Sequence, residues 1–194
     1  MFPYNKNMKI MERGGKLIYF LIPQYIDEIG DCCIFCNDNK DVIYHKKTEY
    51  VLKELCKERC IDLAAVKRKC SRILSQKNLI PLYLSKDEIL IPIKVRRPRV
   101  LRDGGYGYVN ACAVEKIVDG KIVFKNGRTI LFIDNKRSIV KRLKAVKTLE
   151  EAFNDKLDSY IEYQKDFKGS ATKEDVAIIL REILDIKKKI EDFI

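Results

Sequence analysis

Histidine is nearly absent. The chain has one, His45, at the end of a strand-like stretch with no serine, cysteine or carboxylate constellation around it. A lone imidazole in that setting reads as a surface or structural residue, and catalysis finds no support there. Long apolar runs are missing too. The longest, from Leu17 to Pro23, falls far short of the roughly 20 residues of a membrane-spanning helix. The first fifteen residues hold no apolar run of signal-peptide length. The seven cysteines, an odd number with Cys32 and Cys33 adjacent, do not form a disulfide framework. The expected location is therefore the cytoplasm, with reduced thiols and no membrane partner. "GGYGY" (Gly104 to Tyr108) lacks the spacing and the following Lys-Ser/Thr of a phosphate loop. A nuclease needs clustered carboxylates for Mg²⁺, and the chain offers scattered ones such as Asp87, Glu88 and Asp103. An enzyme is not expected, and no cofactor is implied.

Acidic residues are the other shortage, and it is uneven. Residues 149–194 hold 8 Lys/Arg and 12 Asp/Glu, a net −4, so residues 1–148 carry 31 basic against 16 acidic side chains, a net +15, and the chain +11 overall. A body that basic suits a polyanionic partner, and the mildly acidic tail suits another task.

The pattern along the chain predicts an α+β protein. Residues 1–148 form a β-rich body with internal helices, and residues 149–194 a C-terminal helical segment for docking or dimerisation. Lys16 to Ile22 reads as a strand stopped by Pro23, and Cys32 to Cys36 as a second strand. Helical spacing runs from Thr48 to about Leu74, with Asp62 placed to cap a second helix at Leu63. Strand signals return at Leu79–Leu84, Ile89–Val95 and Tyr106–Val118. Asp119-Gly120 and Asn126-Gly127 are favoured two-residue hairpin turns and predict an antiparallel meander around "KIVFK", with Ile122 and Phe124 on one face. Helical periodicity resumes at Lys136. After "KGS", Thr172-x-x-Asp175 resembles a capping box. Val176, Ile179, Ile183, Ile186, Ile190 and Phe193 then repeat at steps of three and four as a short heptad seam. That seam can pack on the body or on a second copy.

Cys33-x-x-Cys36 followed by Cys56-x-x-x-Cys60 is near the spacing of a structural zinc site. Against it, "CIFC" reads as a strand, in which the two thiols face opposite ways, so core cysteines are the simpler reading. The alternative function is accordingly a zinc-stabilised RNA-binding or ribosome-associated module.

Three basic clusters have no acid between them in sequence. Lys94, Arg96, Arg97, Arg99 and Arg102 crowd nine residues around a proline. Lys67, Arg68, Lys69, Arg72 and Lys77 form a second group, and Lys136, Arg137, Lys141, Arg142, Lys144 and Lys147 a third. Lys and Arg on phosphates supply most sequence-independent affinity for DNA. "RRPR" adds an arm whose arginines suit the narrow, strongly negative minor groove of A-tracts. The sequence thus nominates Arg96, Arg97, Arg99 and Arg102 for groove insertion. It nominates Lys67, Arg68, Lys69, Arg72, Lys136, Arg137, Lys141 and Arg142 for phosphate contact.

From "LIPLYLSKDEILIPIKV" through "GYGYVNACAV" and "VFKNGRTILF" to "SIVKRLKAV", the order and spacing resemble the competence transcription factor (ComK) family. "KLIYFLIPQYIDEIGDCCIF" and "LCKERCIDLAAVKRK" are similar to its N-terminal half. The chain departs from the family pattern at Tyr108, where tryptophan is common, and in its arginine-richer loop. The resemblance implies a nucleoid-associated transcription activator that reads paired A/T-rich boxes largely through the minor groove. It further implies that the protein acts as a homo-oligomer, a dimer or higher, alongside RNA polymerase.

Overall fold

A computed structural model describes residues 17–38, 41–100, 103–165 and 173–191. The fold is α+β, as expected. Among the described residues, three antiparallel meanders make up the β structure. The first is β1 (Ile18–Ile26), β2 (Gly30–Asn37) and β3 (Asp41–Tyr44). The second is β4 (Leu82–Ser85), β5 (Glu88–Lys94) and β6 (Tyr106–Asn110). Pairing of β1 with β6 joins them into a six-stranded sheet of order β3-β2-β1-β6-β5-β4. The third, β7 (Val114–Val118), β8 (Lys121–Phe124) and β9 (Thr129–Leu131), is a separate sheet. Helices α1 (Thr48–Glu58) and α2 (Leu63–Leu74) connect the first two meanders, and α3 (Lys136–Lys165) and α4 (Lys173–Glu191) close the chain.

The six-stranded sheet is apolar on both faces and so is covered on both. Ile18, Leu21, Cys33, Phe35 and Leu90 pack against Val51, Leu52 and Leu55 of α1. On the other face, Tyr19, Phe20, Ile89, Ile91, Ile93 and Val109 pack against Ile122, Phe124 and Ile130 of the small sheet and against Ile139 and Val146 of α3. β1 serves both layers through an irregularity between Ile18 and Phe20. It turns the consecutive residues Tyr19 and Phe20 to the same side, as a bulge does.

Several expectations need correcting. β1 does not stop at Pro23, which pairs with Cys33. β6 meets β1 only at Phe20 and Leu21, so Pro23 lies where one edge of the strand is unpaired and the missing N–H costs little. The Tyr106–Val118 stretch is two strands, not one. A short 3-10 helix (Ala111–Ala113) carries the chain from one sheet to the other. Asn110 anchors that exit while fully buried. Its Oδ1 accepts from Ile89 N (3.2 Å) and Cys112 N (3.1 Å), and its Nδ2 donates to Ile18 O and Asp87 O (both 2.9 Å). Asp119-Gly120 is the expected two-residue turn, both residues having positive φ. Asn126-Gly127 belongs to a three-residue loop. Gly127 N donates to Phe124 O at 2.8 Å, Phe124 N to Arg128 O at 2.9 Å, and only Gly127 is left-handed. Asp62 caps α2 as predicted, its Oδ1 accepting from Ala64 N (2.8 Å) and Ala65 N (3.1 Å).

The chain divides into two compact units, Met1–Ala152 and Phe153–Ile194, with the boundary inside α3. In the second unit, Val176, Ile178, Ile179, Leu180, Ile183 and Leu184 of α4 are all exposed. The capping-box residue Thr172 and the seam residue Phe193 lie outside the described residues. No described helix is long and apolar enough to cross a membrane.

Candidate nucleic-acid interface

The arginine-rich segment is the connection from β5 to β6, and its backbone is closed at the base. Val95 N and Arg96 N donate to Gly105 O at 2.9 and 3.3 Å, and Asp103 N donates to Val100 O at 3.2 Å. A Cβ at position 105 would sit 2.7 Å from Arg96 O. Glycine is therefore needed there for close approach: it seals the loop rather than letting it swing.

Arg96 is not a projecting arm residue. Its Nη2 donates to Asp31 Oδ1 at 2.7 Å and to Asp103 Oδ1 at 2.5 Å, and its Nε donates to Gly104 O at 2.8 Å. The guanidinium lies 4.2 Å from the Tyr25 ring centroid, and the Arg96 side chain is only 13% exposed. The sequence nominated it for groove insertion, but two carboxylates from outside the cluster turn it inward. Tyr25 also donates its phenol hydrogen to Asp103 Oδ2. That hydrogen bond, with burial second, raises the Tyr25 phenol above its ordinary value. Burial works against the Asp103 carboxylate, but hydrogen bonds from Tyr25 and Arg99 N, with the charge of Arg96, outweigh it and hold the carboxyl below the usual range.

Arg97 and Arg99 are the exposed arginines of this loop. The Arg99 guanidinium rests 4.4 Å from the same Tyr25 ring, and its backbone N–H donates to Asp103 Oδ2 at 3.0 Å. Arg102 lies outside the described residues.

The start of α3 stands beside the loop. Ile133 N donates to Lys94 O at 2.9 Å, and Lys94 N to Asp134 Oδ2 at 3.3 Å. Asn135 caps the helix, its Oδ1 accepting from Arg137 N at 2.9 Å. Lys136, Arg137 and Lys141 are exposed. Arg142, nominated for phosphate contact, is buried and donates to Asp134 Oδ2. It is a structural ion pair linking α3 to the end of β5, and it leaves the list of candidate contacts.

The second cluster occupies another layer. Lys67, Arg68, Lys69 and Arg72 are exposed on α2, whose Leu63 and Val66 pack on the α1 side of the large sheet. α1 begins at Lys47 and Thr48, in a cleft of about 480 Å³ shared with Asp31, Asp103 and Gly104. It ends where Arg59 binds Glu88, at the opposite end of β5 from the arginine loop. α2 therefore starts at the far end of the sheet, and α2 and α3 lie on opposite faces of it. Arg97, Arg99, Lys136 and Arg137 share one end of the sheet, and the α2 cations form a separate surface.

Sequence reasoning missed Tyr25, Asp31 and Asp103 as the holders of the loop. Tyr25 and Asp31 become neighbours only as cross-strand partners in the β1–β2 hairpin, beyond the Pro23 at which the sequence reading ends the strand. The tyrosines of "GYGY" diverge. Tyr106 is partly exposed, while burial pushes the Tyr108 phenol up to about 12. The cysteines do not converge as zinc spacing would require. Cys33 and Cys36 sit in opposite core layers, and Cys60 is exposed. Among the described residues, no group of three or more potential ligands gathers. No protein-family model matches the chain, and no curated protein or solved structure matches it.

Proposed function

We propose that the protein binds double-stranded, A/T-rich DNA in a sequence-selective way and activates transcription as competence-type regulators do. The observation that carries this reading is the closed loop whose Arg96 is held by Asp31 and Asp103 while Arg97 and Arg99 stand exposed. A closed backbone carrying both arginines, with Arg99 resting on Tyr25, leaves less conformational freedom to lose on entering a narrow groove, and arginine gives up its hydration more readily than lysine. Lys136 and Arg137, exposed at the same end of the sheet, suit the flanking phosphates. The α2 cations add general attraction or meet a neighbouring stretch of duplex.

The resemblance of residues 16–153 to competence transcription factors supports the same reading, as does the net +15 of residues 1–148. The exposed apolar residues of α4 suit pairing of copies on paired A/T-rich boxes, with RNA polymerase as the further partner in the cytoplasm. The chemistry required is binding, with no enzymatic step.

The test is a gel-shift comparison of A/T-rich and G/C-rich duplexes. Replacing Arg97 and Arg99 by alanine should flatten the A/T preference, while Lys136→Ala with Arg137→Ala should weaken both duplexes about equally. A loop variant that keeps its full A/T preference would overturn the assignment of sequence reading to this loop. No duplex binding by the unaltered chain would overturn the function.

A further inference from the structure

The small sheet covers only part of the large one. Its buried residues stop at β9, its outer strand. Beyond β9, Ile22 and Ile34 of the large sheet and Val95 remain half-buried, and Leu131 is 66% exposed. These residues line an open groove of about 680 Å³ with Arg97 and Arg99 on its rim.

One wall of the groove is a strand edge that no described strand pairs with. Phe124 N donates to Arg128 O and Phe132 N to Gly120 O, both at 2.9 Å. With Ile122 opposite Ile130, the hydrogen-bonded pairs of β8 and β9 fall on even-numbered residues. The N–H and C=O groups of Thr129 and Leu131 therefore point away from β8, on the groove side. Such an edge is a template for another strand.

We infer that this groove takes an extended acidic peptide segment of a partner protein, added as a fourth strand along β9. Three features converge on that occupant. The backbone groups of Thr129 and Leu131 call for a main chain in β conformation. Alternate side chains of the incoming strand would cover Ile22, Ile34 and Val95, extending the small sheet over the large one. Arg97 and Arg99 form no ion pair among the described residues, so they select Asp or Glu on the incoming segment. The one carboxylate on the rim, Asp41, is occupied by Arg128. A sugar-phosphate chain would match the arginines and leave both the strand edge and the apolar floor unmet. The inference goes beyond DNA binding and does not rest on it.

The test is selection of random extended peptides, displayed on phage, against the full chain. The enriched peptides should alternate apolar or β-branched residues with Asp or Glu. A synthetic enriched peptide should lose about tenfold in affinity when its backbone is N-methylated at the residues that pair with β9. Thr129→Pro removes one outward N–H, and Leu131→Gln disturbs the exposed side chain without adding charge or touching a buried one. Each should weaken peptide binding about tenfold and leave duplex binding unchanged. No enrichment, or enriched peptides indifferent to N-methylation and to both variants, would overturn the inference. So would a dimer in sedimentation that Thr129→Pro converts to monomer, because a second copy would then own the edge.

Discussion

Arg96 and Asp103 meet at 2.5 Å inside the loop that carries the crowded arginines, and Asp31 holds the same guanidinium nitrogen at 2.7 Å. One of the four arginines that the sequence nominates for groove insertion is therefore the one that fixes the loop. Asp103→Asn should lower unfolding stability by about 2 kcal/mol, less than the full cost of orphaning a buried charge because Asp31 remains. Urea denaturation measures this, and faster amide exchange at Gly104 and Gly105 would place the loosening in the loop.

The same pair sets a pH dependence. Asp103 and Asp62 both have folded-state pKa values below the ordinary range. Burial opposes that for Asp103 and its hydrogen bonds with Arg96's charge outweigh it; backbone N–H groups of Ala65 and Ala64 produce it for Asp62. Their stabilisation is thus complete above about pH 4 and is lost as pH falls through the lower folded values. Urea midpoints measured from pH 6 down to pH 2.5 should fall most steeply below pH 4. Asp103→Asn should show a shallower fall.

Arg142 and Lys141 are neighbours in sequence with opposite fates. Arg142→Ala removes the charged partner of the half-buried Asp134 carboxylate, which keeps its bond from Lys94 N, and should cost about 2 kcal/mol. Lys141→Ala should change stability by no more than about 0.5 kcal/mol while weakening duplex binding. Thermal unfolding and gel shift on the two variants separate structural from surface charge.

Asn110 makes four hydrogen bonds where β6 hands the chain from one sheet to the other. Asn110→Ala leaves two N–H groups and two carbonyls without that partner and should destabilise by about 3 kcal/mol. Asn110→Asp replaces the donor amide with an acceptor and should recover little of it. Chemical denaturation of both variants checks the assignment.

Close approach at Gly107 gives a prediction with its own control. A Cβ there would lie 2.8 Å from Leu21 O and 2.9 Å from Ile22 Cγ2, whereas one at Gly104 meets nothing within 4 Å. Gly107→Ala should force β6 away from β1 and lower stability by about 2 kcal/mol or more. Gly104→Ala should leave the melting temperature within a degree or two.

Much of this architecture was legible because it is local. Asp62 two residues before Ala64 is a cap wherever that helix forms, and Asp119-Gly120 sets a hairpin from its own backbone preferences. The heptad spacing of α4 and the in-out pattern of Ile122 and Phe124 are likewise properties of the chain itself. The exit at Asn110 was not legible, because alternation alone does not say where a strand changes sheets. The reach of β1 past Pro23 was hidden for a related reason: a proline breaks a central strand but is tolerated where one edge is unpaired.

The candidate site divides the same way. Composition and spacing by themselves determined that the body is strongly basic and that its cations come in three groups. They could not say which cations are free, because the carboxylates that bind them lie elsewhere in the chain. Asp31 is 65 residues from Arg96, and only the pairing of β1 with β2 and the closure of the loop at Gly105 bring the two together. Electrostatic attraction at 2.7 Å depends on distance in space and not on separation along the chain. The tertiary structure therefore decided that Arg96 and Arg142 hold the fold while Arg97, Arg99, Lys136 and Arg137 face outward at one end of the sheet.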